Sequence, residues 1–171
     1  FRQSATEAER LYMTLDEVVE VARAGERLGC TEALFTLGES PELRYPEARE
    51  WLRKHGYRST LDYLCNASQR ILDETSLLPH SSPGTMSRRD MEQLREVNAS
   101  IGMMVENVSP RLSEKGDPHE MAPSKRPQVR FRALKIAGEL KIAFTTGILI
   151  GIGETLLERI DSLLAIRELH R

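Results

Sequence analysis

Short apolar runs alternate with stretches of 3.6-residue period four times along the chain, and the connections between successive runs are far too long for hairpins. Strands joined by such crossovers pair in parallel, and a parallel sheet needs helices over its faces. The pattern predicts an α/β fold. The four strand runs fall at 33–37, 77–80, 99–105 and 144–150, and the first, ended by Gly38, has the length and boundary of a buried strand. Thr14-Leu15-Asp16-Glu17 is a capping box, followed by Leu15, Val18, Val19, Ala22 and Leu28 on one helical face and closed by Gly29. A small helix over 46–55 ends at Gly56, and Ser59 or Thr60 opens a longer one carrying Leu61, Leu64, Cys65, Ser68, Ile71 and Leu72. Residues 87–90 open a short helix with Met91 and Leu94 inward. Residues 128–140 are helical by the spacing of Val129, Ala133, Leu134, Ala137 and Leu140, and Thr155-Leu156-Leu157-Glu158 is a second capping box. Between the last two strands, the polar stretch 107–127 holds four prolines and reads as a mobile loop.

Composition narrows the class. At 171 residues the chain has the length of one domain, which buries roughly 70% of its unfolded surface. With 24 Lys+Arg against 26 Asp+Glu, it lacks the basic excess of a nucleic-acid or anionic-membrane binder. Its most apolar stretch, 142–152, is 11 residues with two threonines and two glycines, short of the roughly 20 a membrane-spanning helix needs. Two cysteines, Cys30 and Cys65, belong to no C-x-x-C pair and argue against a disulfide scaffold or a self-contained metal site. The chain starts at Phe1 without a signal-peptide pattern, so it reads as a processed product or an excised piece, with the cytoplasm as its expected compartment.

In parallel sheets ligands bind beyond the carboxyl ends of the strands. Three of the four strand runs are followed there by a glutamate: Glu39, Glu106 and Glu154. Carboxylates on one rim can hold an ammonium group, ribose hydroxyls or a divalent cation. Glu39 and Glu154 can equally serve to cap helix N-termini. The run Gly147-Ile148-Leu149-Ile150-Gly151-Ile152-Gly153-Glu154 places glycines at both ends of a strand, where backbone can approach a planar ligand closely. A dinucleotide fingerprint fits poorly, because Glu154 sets a negative charge where a phosphate would sit. A neutral or cationic ligand with a flat, adenine-like group fits better. Met86, Met103 and Met104 read as core fillers. His80 is a hydrogen-bonding or structural histidine, His119 part of a lid or simply solvated, and the basic run 125–141 a wet helix face. No G-x-S-x-G nucleophile elbow is present.

The segments Glu32-Ala33-Leu34-Phe35-Thr36-Leu37-Gly38-Glu39, Tyr45-Pro46-Glu47-Ala48-Arg49-Glu50-Trp51-Leu52, Leu77-Leu78-Pro79-His80 and 144–154 closely resemble the ring-closing half of the radical S-adenosylmethionine (SAM) FO synthases. The likeness runs from about Leu15 to Arg171. It implies a partial TIM-type radical SAM barrel with about four parallel strands, the second to the fifth, under covering helices. It also implies SAM and a [4Fe-4S] cluster as cofactors, and a 5'-deoxyadenosyl radical that abstracts hydrogen from a tyrosine-derived ribityl-diaminouracil adduct. Ring closure with loss of ammonia would then form the deazaflavin FO, the precursor of coenzyme F-420. The implied partner is the tyrosine-condensing radical SAM half, as a separate subunit or a fused domain. By motif position Glu39 resembles the acid that holds the SAM amino group and Glu106 the ribose contact. Gly147, Leu149, Gly151 and Glu154 resemble the adenine motif G-x-I-x-G-x-x-E. No residue is assigned to catalysis itself.

The family's C-x-x-x-C-x-x-C cluster motif is absent, and neither Cys30, where a helix gives way to a strand, nor Cys65, on a helix core face, can replace it. Ser82 stands where the family has asparagine, and Glu120-Met121 where it has tyrosine and glycine. Residues 1–171 are therefore expected to form an incomplete radical SAM core, without first strand, cluster loop or last strand, and to be inactive alone. Two alternatives stand beside this reading. One is a degenerate, non-catalytic domain acting through a partner, and the other a divalent-metal barrel using Glu39, Glu106 and Glu154.

Overall fold

The computed structural model describes residues 11–170, which divide into two compact units. The first holds the described residues up to Pro83 together with 93–99, and the second holds 84–92 and the residues from Ser100 onward.

The first unit opens with α1 (Leu15–Arg27), started by the expected capping box: Thr14 Oγ1 accepts from the Glu17 N–H, and the Thr14 N–H donates to Glu17 Oε2 at 2.7 Å. Gly29, at φ +85°, follows its end. Helix α2 (Pro46–Lys54) has proline at its first position, where no N–H is needed, and α3 (Thr60–Glu74) is capped by Ser59, whose Oγ accepts from the Asp62 N–H. Strands β1 (Glu32–Thr36) and β2 (Leu78–Ser82) pair in parallel with Leu34 opposite His80, and α2 and α3 lie in the crossover. Their core gathers Val18 and Ala22 from α1, Leu52 from α2, Tyr63, Ala67 and Ile71 from α3, and Leu77. A part-buried polar chain accompanies it: Ser81 Oγ donates to Asn98 Oδ1, and Asn98 Nδ2 donates to Ser68 Oγ and the Leu94 carbonyl.

Three expectations change here. Leu28 is 86% exposed because α1 has ended before it and it serves as the C-cap. Leu72 is exposed because it lies about 100° around α3 from the buried Ile71. Strand β1 is not buried on both faces. Ala33 and Phe35 pack on the core, while Leu34 on the opposite face is 58% exposed, since successive strand side chains point oppositely and only one face is covered by described residues.

In the second unit β3 (Ser100–Gly102) pairs in parallel with β4 (Phe144–Thr145). Met91 of α4 (Arg88–Arg95), Met103, and Ala133 and Ala137 of α5 (Pro127–Glu139) form its core, with Met86 and Phe144 packed against them. Val129 is exposed, and the buried α5 face runs instead through Arg130, Ala133 and Ala137. Helix α6 (Leu156–His170) leaves Leu156, Leu157 and Leu163 exposed. The regular strands are shorter than the apolar runs 99–105 and 144–150. The stretch 107–127, expected as a mobile loop, folds back through two 3-10 turns (Pro110–Ser113 and Pro123–Lys125) that enclose Asn107, Leu112 and His119. No helix among the described residues is long and apolar enough to cross a membrane.

These placements separate two leucine-like positions. Truncating fully buried Ile71 to alanine should cost about 2–5 kcal/mol in urea denaturation, whereas Leu28→Ala should stay within about 0.5 kcal/mol.

Candidate cofactor-binding site

The parallel pairing of β3 and β4 continues past the regular strands. Ile101 N–H donates to the Ala143 carbonyl and Met103 N–H to the Thr145 carbonyl, both at 3.0 Å. Thr146 Oγ1 donates to the Met103 carbonyl, Glu106 N–H to the Gly147 carbonyl at 3.2 Å, and Leu149 N–H to the Glu106 carbonyl at 2.8 Å. Glu106 itself is left-handed at φ +69°. Such a backbone costs a non-glycine residue about 1–3 kcal/mol, which these paired N–H and carbonyl groups hold in place. Its carboxylate meets Lys125 Nζ at 3.1 Å.

Lys125 was not legible as a site residue, since it belongs to a basic run that looks like a solvated helix face. It precedes α5, in the 3-10 turn that closes the folded stretch 107–127. His119, from the same stretch, is 5% exposed, so it is not solvated. Burial first, then the Lys125 charge, pushes its pKa down, against the opposing pull of Glu106.

Opposite this segment runs the glycine stretch. A Cβ on Gly147 would meet Met104 Sδ at 3.2 Å, so glycine is what permits the close approach there. Leu149 is 40% exposed. Gly151 and Gly153 take φ +90° and +95°, and the turn they make closes around Glu154. Each Glu154 carboxylate oxygen accepts from the Gly151 N–H at 3.0 Å, and Oε2 accepts also from the Ile152 N–H. Arg159 Nη2 donates to Oε1 at 2.6 Å, and the Glu154 side chain is 1% exposed. These donors, the Gly151 N–H foremost, lower the Glu154 pKa to about 2. Glu154 clamps its own turn instead of capping α6, which Thr155 and Glu158 cap.

Five of the six candidate residues lie in the second unit, Glu106, Gly147 and Leu149 on the ladder and Gly151 and Glu154 in the turn that follows it. Glu39 belongs to the first unit, half-buried in the turn after β1. Glu42 fixes that turn by accepting from the Thr60 N–H and from Thr60 Oγ1 at 2.6 Å, while its carbonyl accepts from the Arg49 guanidinium. His80 is buried on β2. Among the described residues no three His, Cys, Asp or Glu side chains form a group that could hold a metal ion.

A family model described as the radical SAM superfamily matches residues 3–166. The 7,8-didemethyl-8-hydroxy-5-deazariboflavin synthase of Methanopyrus kandleri is 51% identical over 170 residues, 99% of this chain and 51% of that protein. The FO synthase of Streptomyces avermitilis is 54% identical over 162 residues, and that of Mycobacterium tuberculosis H37Rv 54% identical over 161, each alignment covering 94% of this chain and 19% of the relative. The chain therefore spans about half the length of the first relative and about a fifth of the other two. Among solved structures, methylornithine synthase (PylB) matches with a TM-score of 0.70 at 20% identity, over 92% of this chain and 41% of that one. This likeness of fold agrees with the expected α/β, partial TIM-type barrel class.

The residues present suit SAM, with a carboxylate acceptor at Glu106 and a part-exposed apolar side chain at Leu149. They do not suit an iron-sulfur cluster, because the two cysteines are an exposed Cys30 between α1 and β1 and a buried Cys65 on α3.

Because the Glu154 pKa falls below its unfolded value of 4.5, the clamp's contribution is complete above that pH and is lost as pH drops through about 2. The Gly151 and Ile152 amide resonances should titrate with a midpoint near 2, and a midpoint near 4.5 would mean that the clamp is not made.

Proposed function

The chain belongs to the radical SAM superfamily, and from that premise we propose that it is part of the SAM-binding core of an FO synthase. The observation that carries the reading is the Glu106–Gly147–Leu149 ladder, in a chain more than half identical to proteins named FO synthase. In this reading Glu39 accepts hydrogen bonds from the SAM amino group and Glu106 from a ribose hydroxyl. Gly147 lets the strand-end segments approach closely, Leu149 supplies an apolar contact to the adenine plane, and Glu154 acts through the Gly151 turn it clamps.

In the complete protein an iron-sulfur cluster would give bound SAM the one electron that splits it into methionine and a 5'-deoxyadenosyl radical, which would abstract hydrogen from a tyrosine-derived ribityl-diaminouracil adduct, and ring closure with loss of ammonia would yield the deazaflavin. The tyrosine-condensing radical SAM half, separate or fused, provides that adduct in the cytoplasm. Residues 1–171 are an incomplete core in this reading: the cluster ligands lie outside them, and the 171 residues have no turnover by themselves.

The ion pair of Glu106 with Lys125 and the saturation of Glu154 by its own turn weigh against the divalent-metal alternative. Equilibrium dialysis should show SAM binding that Glu106→Gln weakens about tenfold, the scale of one lost charge-assisted hydrogen bond. Binding of Mn(II) without SAM would overturn the cofactor reading. Anaerobic treatment of the chain with ferrous iron and sulfide should give no four-iron EPR signal, and a stable cluster would overturn the placement of the ligands outside it.

A further inference from the structure

We infer that Arg111 is a positioning residue that couples the segment bearing Glu106 to the glycine turn at 151–153, so that the adenosine part of SAM meets both as one preset surface. The inference deepens the SAM reading and rests on it.

Arg111 lies five residues beyond Glu106 in the 3-10 turn Pro110–Ser113, whose next residue, Leu112, is fully buried and anchors the turn. Its guanidinium forks onto Glu158, with Nε to Oε1 at 3.1 Å and Nη2 to Oε2 at 2.9 Å. Nη2 donates as well to the Gly153 carbonyl at 2.9 Å. One side chain from the β3 side therefore holds both the backbone of the glycine turn and the first turn of α6.

Glu158 is the fixed point of this arrangement. Besides the fork it accepts from Ser109 Oγ at 2.5 Å and from the Thr155 N–H at 2.7 Å, four donor contacts that fill the acceptor capacity of a carboxylate. The Arg111 fork, then Ser109, hold its pKa far below the usual carboxylate range, so the charge opposite Arg111 persists at any working pH. A second tie runs beside it: the Val108 N–H donates to Ser162 Oγ, which donates in turn to the Glu158 carbonyl.

The glycine turn needs such ties. A Cβ on Gly151 or on Gly153 would meet nothing within 4 Å, so nothing packs on the Cβ side of either glycine. Hydrogen bonds hold the backbone there, from Glu154 within the turn and from Arg111 across it. Helix α6 does not need Arg111 for its start, because the Thr155–Glu158 box caps it from within. An ion pair whose arginine is 42% exposed adds little to global stability. What the fork adds is a direct bond from one strand-end loop to the backbone of the glycine turn while it also holds Glu158, and a planar guanidinium can do this where a single ammonium cannot.

The test uses Arg111→Met, which removes the fork at similar volume, and Arg111→Lys, which keeps charge without the fork. In the ligand-free chain, Arg111→Met should speed amide exchange at residues 151–153 about tenfold, with the thermal midpoint within about 2 °C of the parent. It should weaken both SAM and 5'-methylthioadenosine, which lacks the amino-acid moiety, by about tenfold, and Arg111→Lys should recover part of that loss. Unchanged exchange in Arg111→Met, or in Arg111→Lys if the first variant does not fold, overturns the coupling. Faster exchange with unchanged affinity overturns the positioning role. A parent chain that binds neither nucleoside overturns the SAM reading and the positioning role with it, while the exchange rates decide the coupling separately.

Discussion

The two hydrogen bonds that join Glu106 to Gly147 and Leu149 carry the geometry of the second unit. They extend a parallel ladder beyond its regular strands and hold one residue in a left-handed conformation that it would otherwise avoid. Because the ladder places Glu106 against the glycine stretch, an acceptor and a close-approach backbone come to lie side by side. Every further feature there secures that juxtaposition: Lys125 on the Glu106 carboxylate, Met104 against Gly147, and Glu154 inside the turn that follows.

The carboxylates after the strands differ in chemistry because of their donors. Glu154 is filled by backbone N–H groups and one arginine, which makes it a structural acceptor with a strongly depressed pKa. Glu106 faces a lysine ammonium, a point charge that leaves the second carboxylate oxygen without a fork to fill it. Glu158, which no strand-end pattern singles out, is as densely bonded as Glu154 and binds two loops to one helix.

Much of this was legible without coordinates. The capping boxes at Thr14 and Thr155 are local, so their residues alone predict the hydrogen bonds found. Parallel pairing followed from crossover length, and Met91 and Leu94 were identified as buried. The misreadings share one cause. Leu28, Leu72 and Val129 are apolar and roughly in phase, but whether such a residue is buried depends on where the helix stops and on how its stripe is turned toward its neighbours. The folded stretch 107–127 hid for a related reason: prolines and charges look like solvent-exposed loop, and the buried Leu112 and His119 give no periodic signal.

Local sequence by itself determined the elements, their parallel connection, the superfamily likeness and the set of glutamates and glycines worth asking about, because caps, periods and motif words are properties of neighbours along the chain. Tertiary structure decided what those residues do. Lys125 lies nineteen residues from Glu106, and Arg111 lies forty-seven from Glu158. Pairings over such distances are set by how strands and turns pack in space, and no spacing rule along the chain specifies them.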